Sequence, residues 1–416
     1  MSKKKGQRRK MKYVLIVGDG MADHAVPELG NKTPLQAARK PNIDSIAARG
    51  RSGLIKTIPD ELPAGSDVAI LSVLGYDPRC FYTGRGPLEA AARGIDLRQN
   101  DVAFRCNLIT EKDGVLLDYS AGHITTDEST KLIVSVKRAL EKPGEVEFFL
   151  GLDYRHFMIL RKRPDAALVD CTPPHDVMGA KISGVLPKAN LPQQEETVDL
   201  LRKLILDSKS ILENHPVNVA RVKAGKKPGN MIWPWGGGAN PSLPKFKEKF
   251  GVSAAVISAV DLVKGIATCA GMKIIRVPGA TGLSNTNYEG KADAALKALK
   301  TSDLVFVHVE APDEAGHIGD CGLKVKTIED LDRRLVGRIL KGLEEPYAVA
   351  VLPDHPTPLE IKTHTRQPVP FTIYATGMGS DGVQRFDEVS ARYGSFGLVT
   401  KGSVMRLLLS CGSSSE

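Results

Sequence analysis

Five short stretches carry side chains able to hold a cation or act as a nucleophile. GDG (18–20) offers Asp19, and EAPDEAGH (310–317) offers Asp313 and His317. LPDH (352–355) offers Asp354 and His355, and the loop after it, KTHTRQPVPF (362–371), offers His364. LPAGSDVAILSVLG (62–75) offers Ser66. Taken singly, each has an ordinary reading. Asp19 fits a turn or helix cap. An Asp-x-x-x-His spacing arises by chance, and Asp-His before Pro makes a polar turn. His364 alone reads as a surface histidine; His24, His123, His156, His175 and His215 show how little one imidazole proves. A Ser-Asp pair ahead of an apolar run is ordinarily a helix cap.

Taken together, three carboxylates and three imidazoles fall at the ends of predicted strands. In parallel α/β sheets those ends are where ligands gather. Mixed Asp and His donors suit Mn²⁺ or Zn²⁺ better than Mg²⁺ or Ca²⁺, which prefer oxygen alone. Six such ligands, with the Ser66 hydroxyl as a seventh, divide between two ions. Paired ions about 3.5–4 Å apart polarise a phosphoryl group and its attacker together. At a helix N-terminus, the Ser66 oxygen would face unpaired backbone N–H groups and the positive end of the helix dipole. A bound cation would lower its pKa further.

The elements that must position these residues read as follows. KYVLIVGDGMAD (12–23) is a buried parallel strand presenting Asp19 at its carboxyl end. TPLQAARKPNIDSIAARG (33–50) is helical, interrupted at Pro41 and closed by Gly50. Residues 252–279 give strand, helix, strand; 290–317 give helix, strand and an acidic turn. TIEDLDRRLVGRILKGL (327–343) is an amphipathic helix with Ile328, Leu331, Leu335 and Ile339 on one face, and YAVAVLPDHPTP (347–358) is another buried strand. Strands alternating with helices imply an α/β fold with a doubly wound, mostly parallel sheet. Between about 112 and 215 the alternation is closer to an antiparallel sheet, with VEFFLGLDYRHFMILRKR as two strands around a turn. The expected organisation is a catalytic domain over 12–111 and 216–412, with a smaller α+β domain inserted at 112–215.

Composition narrows the function classes. The net charge is +9, but Lys3, Lys4, Lys5, Arg8, Arg9, Lys10 and Lys12 supply seven of it, leaving about +2 for the body. Residues 1–11 read as a disordered basic tail, and GSSSE (412–416) as a frayed end. A nucleic-acid-associated protein working through that tail is the reading from another class. The near-neutral body and a 5% aromatic content argue against it, so no specific nucleic acid is expected. No apolar run approaches the roughly 20 residues of a membrane span, and no secretory segment follows the tail. The six cysteines are scattered without a CxxC, as in reduced cytoplasmic proteins.

The ordered motifs GDGMAD, KTPLQAARKPNID, LPAGSDVAILSVLGYDP, YTGRGPLEAA, DVAFRCNL, TPPHD, HVEAPDEAGH and PDHPTP resemble the archaeal-type phosphoglycerate mutases that need no bisphosphoglycerate. These are members of the alkaline phosphatase superfamily, and the resemblance covers nearly all of the chain after the tail. It implies an alkaline phosphatase-like fold and two metal sites, one from Asp19, Ser66, Asp354 and His355, the other from Asp313, His317 and His364. The implied ion is Mn²⁺, with Zn²⁺, Co²⁺ or Mg²⁺ as alternatives. Ser66 would be phosphorylated in turnover, and glycerate would turn while trapped and take the group back on its other hydroxyl. The implied substrate contacts are His123, Arg155, Arg105, Lys291, Arg85, His175 and Asp176, most of them on the insert, which would act as a lid. GLDYRH departs from the family pattern: Asp153 stands where a small polar residue is usual. The implied reaction interconverts 2- and 3-phosphoglycerate in glycolysis and gluconeogenesis, in the cytoplasm, with homo-oligomerisation left open. A phosphatase or small-alcohol kinase on the same scaffold is the alternative, because the metal residues do not set the acceptor.

Overall fold

The structure, a computed structural model, describes residues 10–400 and 404–411. The expected basic tail lies outside these residues except for Lys10 and Met11, and the GSSSE end lies wholly outside. Two compact units divide the chain: one runs to Tyr82 and resumes at Leu243, and the other spans Thr83–Ser242. In chain order the first unit holds β1 (Lys12–Gly18) and β2 (Arg51–Ile55). The second holds β3 (Val102–Lys112), β4 (Val115–Asp118), β5 (Val146–Leu152), β6 (Arg155–Leu160) and β7 (Met231–Ala239). The first resumes with β8 (Ala254–Ile257), β9 (Lys273–Ile274), β10 (Leu304–Val309), β11 (Tyr347–Leu352), β12 (Val369–Ala375) and β13 (Gly397–Val399).

In the first unit eight strands form one sheet in the order β13-β2-β12-β11-β1-β10-β8-β9. Only β12 runs against its neighbours; every other pairing is parallel. The α/β class and mostly parallel sheet expected from the sequence are therefore the observed architecture. The runs VLIV, LVFV and AVAV are apolar throughout because helices cover the sheet. Val14, Ile16, Val305, Val307, Val349 and Val351 share a core with Ile328, Leu331, Leu335 and Ile339, all fully buried. Those four helical residues lie on Cys321–Asp330, a widened turn at Leu331–Val336, and Gly337–Gly342. β11, β1 and β10 are adjacent and point the same way. Their carboxyl ends, followed by Asp354, Asp19 and Asp313, therefore lie side by side.

The second unit is an antiparallel sheet with β3 at its centre, paired with β4, β6 and β7. Helices Thr126–Leu140 and Glu195–Leu212 bury Leu132, Ile133, Val136, Val198 and Leu201 against Phe104, Phe148 and Met158. The expected insert of 112–215 is thus too short. The unit begins at Thr83 and ends at Ser242, because β3 and β7 pair with each other along most of their length. An apolar run such as DVAFRCNL says that it is a buried strand, not which sheet it joins. Among the described residues no helix is long and apolar enough to cross a membrane. All six cysteines are free.

Candidate active site

The residues after β1 and β11 form one half of the site. Asp19 accepts a hydrogen bond from His308 Nε2 at its Oδ2 (3.0 Å), while its buried Oδ1 has no partner. Asp354 repeats the arrangement: Oδ1 accepts from the backbone N–H of Gly20 (3.2 Å) and His355 (3.0 Å), and its buried Oδ2 is bare. His355 Nε2 lies 3.4 Å from each bare oxygen and 3.0 Å from Ser66 Oγ. Two carboxylate oxygens, an imidazole nitrogen and a hydroxyl therefore converge.

The close packing explains the GDG turn. Gly20 has φ +61°, and a Cβ there would lie 2.6 Å from Asp313 Oδ1 and from Thr357 Oγ1. Only glycine fits that approach. Ser66 is not the cap that its sequence context suggests. The helix Ser66–Val73 has Gly65 at its N-cap with no side-chain cap, and Ser66 is the first helical residue, its oxygen turned to His355.

Asp313 and His317 stand on the helix Ala311–Ile318 that follows β10, and His364 comes from the loop before β12. His317 Nε2 is 3.2 Å from Asp313 Oδ2, and His364 Nε2 is 3.5 Å from Asp313 Oδ1. The two Nε2 atoms are 3.0 Å apart. His317 Nδ1 lies 3.0 Å from the Lys362 carbonyl, which can accept only an N–H. In the neutral ring this places the proton on Nδ1 and leaves Nε2 as a free ligand. The two halves meet through Thr357, whose hydroxyl reaches both Asp313 Oδ1 and His355 Nδ1 (3.2 Å).

The electrostatics fit a cation. Burial pushes the Asp19 carboxyl well above the usual range, and the negative charges of Asp354, Asp313 and Glu310 push the same way. Burial alone would raise Asp313 too, but hydrogen bonds from His317 and His364 hold it well below the usual range. His317 is raised to about 9, the Asp313 bond and charge overcoming its burial. Burial lowers His355, and it lowers His308 to about 4. Among the described residues, three donor sets have ligand atoms within 4.8 Å of one another: Asp19, Asp354 and His355; Asp313, His355 and His364; and Asp19, Glu310 and Asp313. Crowded carboxylates with orphaned buried oxygens are costly without a positive charge between them. The site is one for divalent metal ions.

A buried staple fixes the loops. Lys324, fully buried, donates to Asp23 Oδ2 (2.6 Å), to the Thr357 carbonyl (2.7 Å) and to the Ala22 carbonyl (3.3 Å). All three ammonium hydrogens are used, and they tie the loop after β1 to the loop after β11. Lys291, also buried, donates to the His308 carbonyl (3.1 Å), and burial lowers it to about 8.

The remaining expected contacts lie in the second unit. Arg105 is 4% exposed; its Nη1 donates to both Glu89 oxygens (2.7 and 2.6 Å), and its guanidinium lies 5.3 Å from the centre of the Trp235 ring. Arg85 donates to the same carboxylate (2.7 Å). Against burial, the two arginines hold Glu89 down to about 2. His175 packs edge-on against Trp235 and lies 3.8 Å from Asp176. Arg155 is half-exposed, 3.6 Å from Asp153, which takes φ +54° in the β5–β6 turn. His123 is exposed and ends a left-handed turn with φ near +51°, +62° and +51° at Ala121, Gly122 and His123. Asp118 Oδ1 anchors that turn by accepting from Ser120 and Gly122 N–H groups.

The sequence alone passed over His308, Thr357, Glu310, Lys324 and Glu89. His308 had a usable signal, as the lone polar residue in the apolar strand LVFVHV. Glu89 had another, standing four residues after Arg85 on one helix face.

Fold and donor set together define a divalent-metal enzyme built on a mostly parallel α/β sheet. The profile of the 2,3-bisphosphoglycerate-independent phosphoglycerate mutase family matches residues 47–218. A mutase so named from Methanosarcina mazei is 52% identical over 403 residues, covering 96% of this chain and all of the relative. One from Methanothermobacter thermautotrophicus is 46% identical over 400 residues, covering 96% and 97%. Among solved structures, the cofactor-independent phosphoglycerate mutase of Thermoplasma acidophilum is 30% identical with a TM-score of 0.66, covering 97% of this chain and 100% of that one. A Pyrococcus horikoshii protein reaches a TM-score of 0.83 at 32% identity, covering 98% of each chain. The chain belongs to the 2,3-bisphosphoglycerate-independent phosphoglycerate mutases, a family of isomerases.

Proposed function

We propose that this chain interconverts 2- and 3-phosphoglycerate through a phosphoserine at Ser66, with two divalent cations, Mn²⁺ first among them. The observation that carries this reading is Ser66 Oγ, 3.0 Å from His355 Nε2 and released from any capping role. Asp19, Asp354, His355 and Ser66 would hold one ion, and Asp313, His317 and His364 the other. Bound there, the ions would lower the Ser66 pKa and offset charge on the phosphoryl oxygens.

Ser66 Oγ loses its proton and attacks phosphorus, and the bond from phosphorus to the glycerate oxygen breaks. That oxygen takes up a proton, leaving phosphoserine and free glycerate. The other glycerate hydroxyl then gives up its proton and attacks the phosphoserine phosphorus, the bond from phosphorus to Ser66 Oγ breaks, and that oxygen takes up a proton to restore the serine hydroxyl. Backbone N–H groups at the start of Ser66–Val73 favour negative charge at this point. In the second unit, Arg155 and His123 are the exposed candidates for the anionic substrate. Arg85, Arg105, His175 and Asp176 are proposed around them, and Lys291 in the first unit. Arginine suits the task because its planar fork matches carboxylate and phosphate oxygens. An enolase-coupled assay for 2-phosphoglycerate, run with and without Mn²⁺, tests the reading. Formation of 2-phosphoglycerate only with the metal supports it; free phosphate released without 2-phosphoglycerate overturns it.

A further inference from the structure

Asp19 and Asp354 each present one oxygen and have the other tied down, by different means. For Asp354 the tie is backbone, the N–H groups of Gly20 and His355. For Asp19 the partner at Oδ2 is a side chain, His308 Nε2 at 3.0 Å. His308 is fully buried in β10, and its other nitrogen, Nδ1, lies 3.3 Å from Ser258 Oγ. Ser258 Oγ in turn accepts the backbone N–H of Val260 (3.0 Å).

With Asp19 ionised, as a metal ligand must be, and the His308 ring neutral, the protons along this path have one consistent arrangement. A carboxylate only accepts, so the neutral His308 ring carries its hydrogen on Nε2 and donates to Asp19 Oδ2. Nδ1 is then bare and takes the hydroxyl hydrogen of Ser258, whose oxygen is already oriented by Val260. Donation thus runs from Val260 N–H through Ser258 and His308 to Asp19. The result is an Asp19 that offers Oδ1 alone.

We propose that His308, oriented by Ser258, is a positioning residue that keeps Asp19 to a single free oxygen and so favours a small ion such as Mn²⁺ over Ca²⁺. The proposal rests on the metal reading given above. Ca²⁺ collects six to eight oxygens at longer distances and readily takes both oxygens of one carboxylate. A carboxylate locked to one oxygen beside imidazole nitrogens withholds that option, whereas smaller transition ions accept single oxygens with imidazole.

The test is equilibrium dialysis of the metal-free full chain against Mn²⁺ alone and Ca²⁺ alone, with metal-free thermal unfolding recorded for each variant. His308→Leu is expected to weaken Mn²⁺ about 10–100-fold, the usual cost of losing a partner behind a ligand. Ca²⁺ affinity should hold or rise, so the Mn²⁺/Ca²⁺ preference falls at least about 10-fold. His308→Gln, which keeps an N–H donor on a side chain of similar reach, should recover most of that preference. Ser258→Ala should fall between the two. Equal weakening of both ions would assign His308 to packing alone and overturn the proposal, as would native-like Mn²⁺ binding in His308→Leu. Should that variant not fold, Ser258→Ala decides: a reduced Mn²⁺/Ca²⁺ preference supports the proposal, and an unchanged one overturns it. Absence of Mn²⁺ binding by the native chain would remove the metal reading and the proposal with it.

Discussion

The two units each bury a cluster of charge, and they treat it in opposite ways. In the second unit, Glu89 sits between Arg105 and Arg85, and its carboxylate is saturated by their hydrogen bonds. In the first, Asp19 and Asp354 are buried with one oxygen each left bare, and the charges that bear on Asp19 are those of other carboxylates, Asp354, Asp313 and Glu310. A carboxylate already held between two guanidinium groups needs no ion from solution to be stable where it is. A cluster that leaves acceptors exposed to one another is unfinished until a cation arrives. Burial does not separate the two cases. The bare oxygens do.

Four experiments break or sharpen that contrast. The largest effect is expected from Ser66→Ala, which should cut turnover in the enolase-coupled assay by about 10⁴-fold or more while leaving the fold and most of the metal affinity in place. Appreciable mutase activity in that variant would rule out the phosphoserine route. Glu89→Gln removes the counter-charge from Arg105, a nearly inaccessible cation. It should lower stability in denaturant unfolding by about 3–5 kcal/mol, the range for breaking a buried pair, with Mn²⁺ affinity unchanged. A loss of metal affinity there would mean that the two clusters are coupled.

Metal removal is the converse experiment. Adding Mn²⁺ at about 100 times its dissociation constant should stabilise the chain by about 2.7 kcal/mol. Hydrogen exchange should place the added protection around β1, β10 and β11 rather than around β3 and β7. Uniform protection would contradict the assignment of ligands to the first unit. The smallest effect concerns His156 in the second unit, which burial lowers to about 3. The folded chain keeps this ring neutral down to that value, whereas the unfolded chain protonates it near 6.5. Stability should therefore fall as pH drops from about 6.5 toward 3, by at most about 1.4 kcal/mol per pH unit from this residue. His156→Gln should flatten the slope by that amount, read from denaturant midpoints across the range.

Much of the site was legible because the relevant rule is local. A buried strand announces itself by an apolar run, and the residue after it lies at the sheet's edge. GDG, EAPDEAGH and LPDH could each be assigned to a strand end from their own neighbours. The rest was not local. Ser66 carried the outward signs of a cap, and its freedom from capping depends on Gly65 taking that position. Nothing near Arg105 in the sequence announces that its Nη1 donates to Glu89, sixteen residues away and on another element. The boundary expected at 112 moved to 83 because β3 pairs with β7, more than a hundred residues later.

What the sequence determined by itself is the chemistry on offer: which strands are buried, which donors end them, and that carboxylate, imidazole and hydroxyl groups are present in the proportions a divalent cation requires. Tertiary structure decided the order β11-β1-β10, which brings three strand ends together, and it decided which oxygen of each carboxylate is tied and which is bare. The physical reason is that side-chain type and strand burial follow from short-range pattern. Pairing partners and hydrogen-bond saturation depend instead on groups distant in the chain, whose meeting no local pattern encodes.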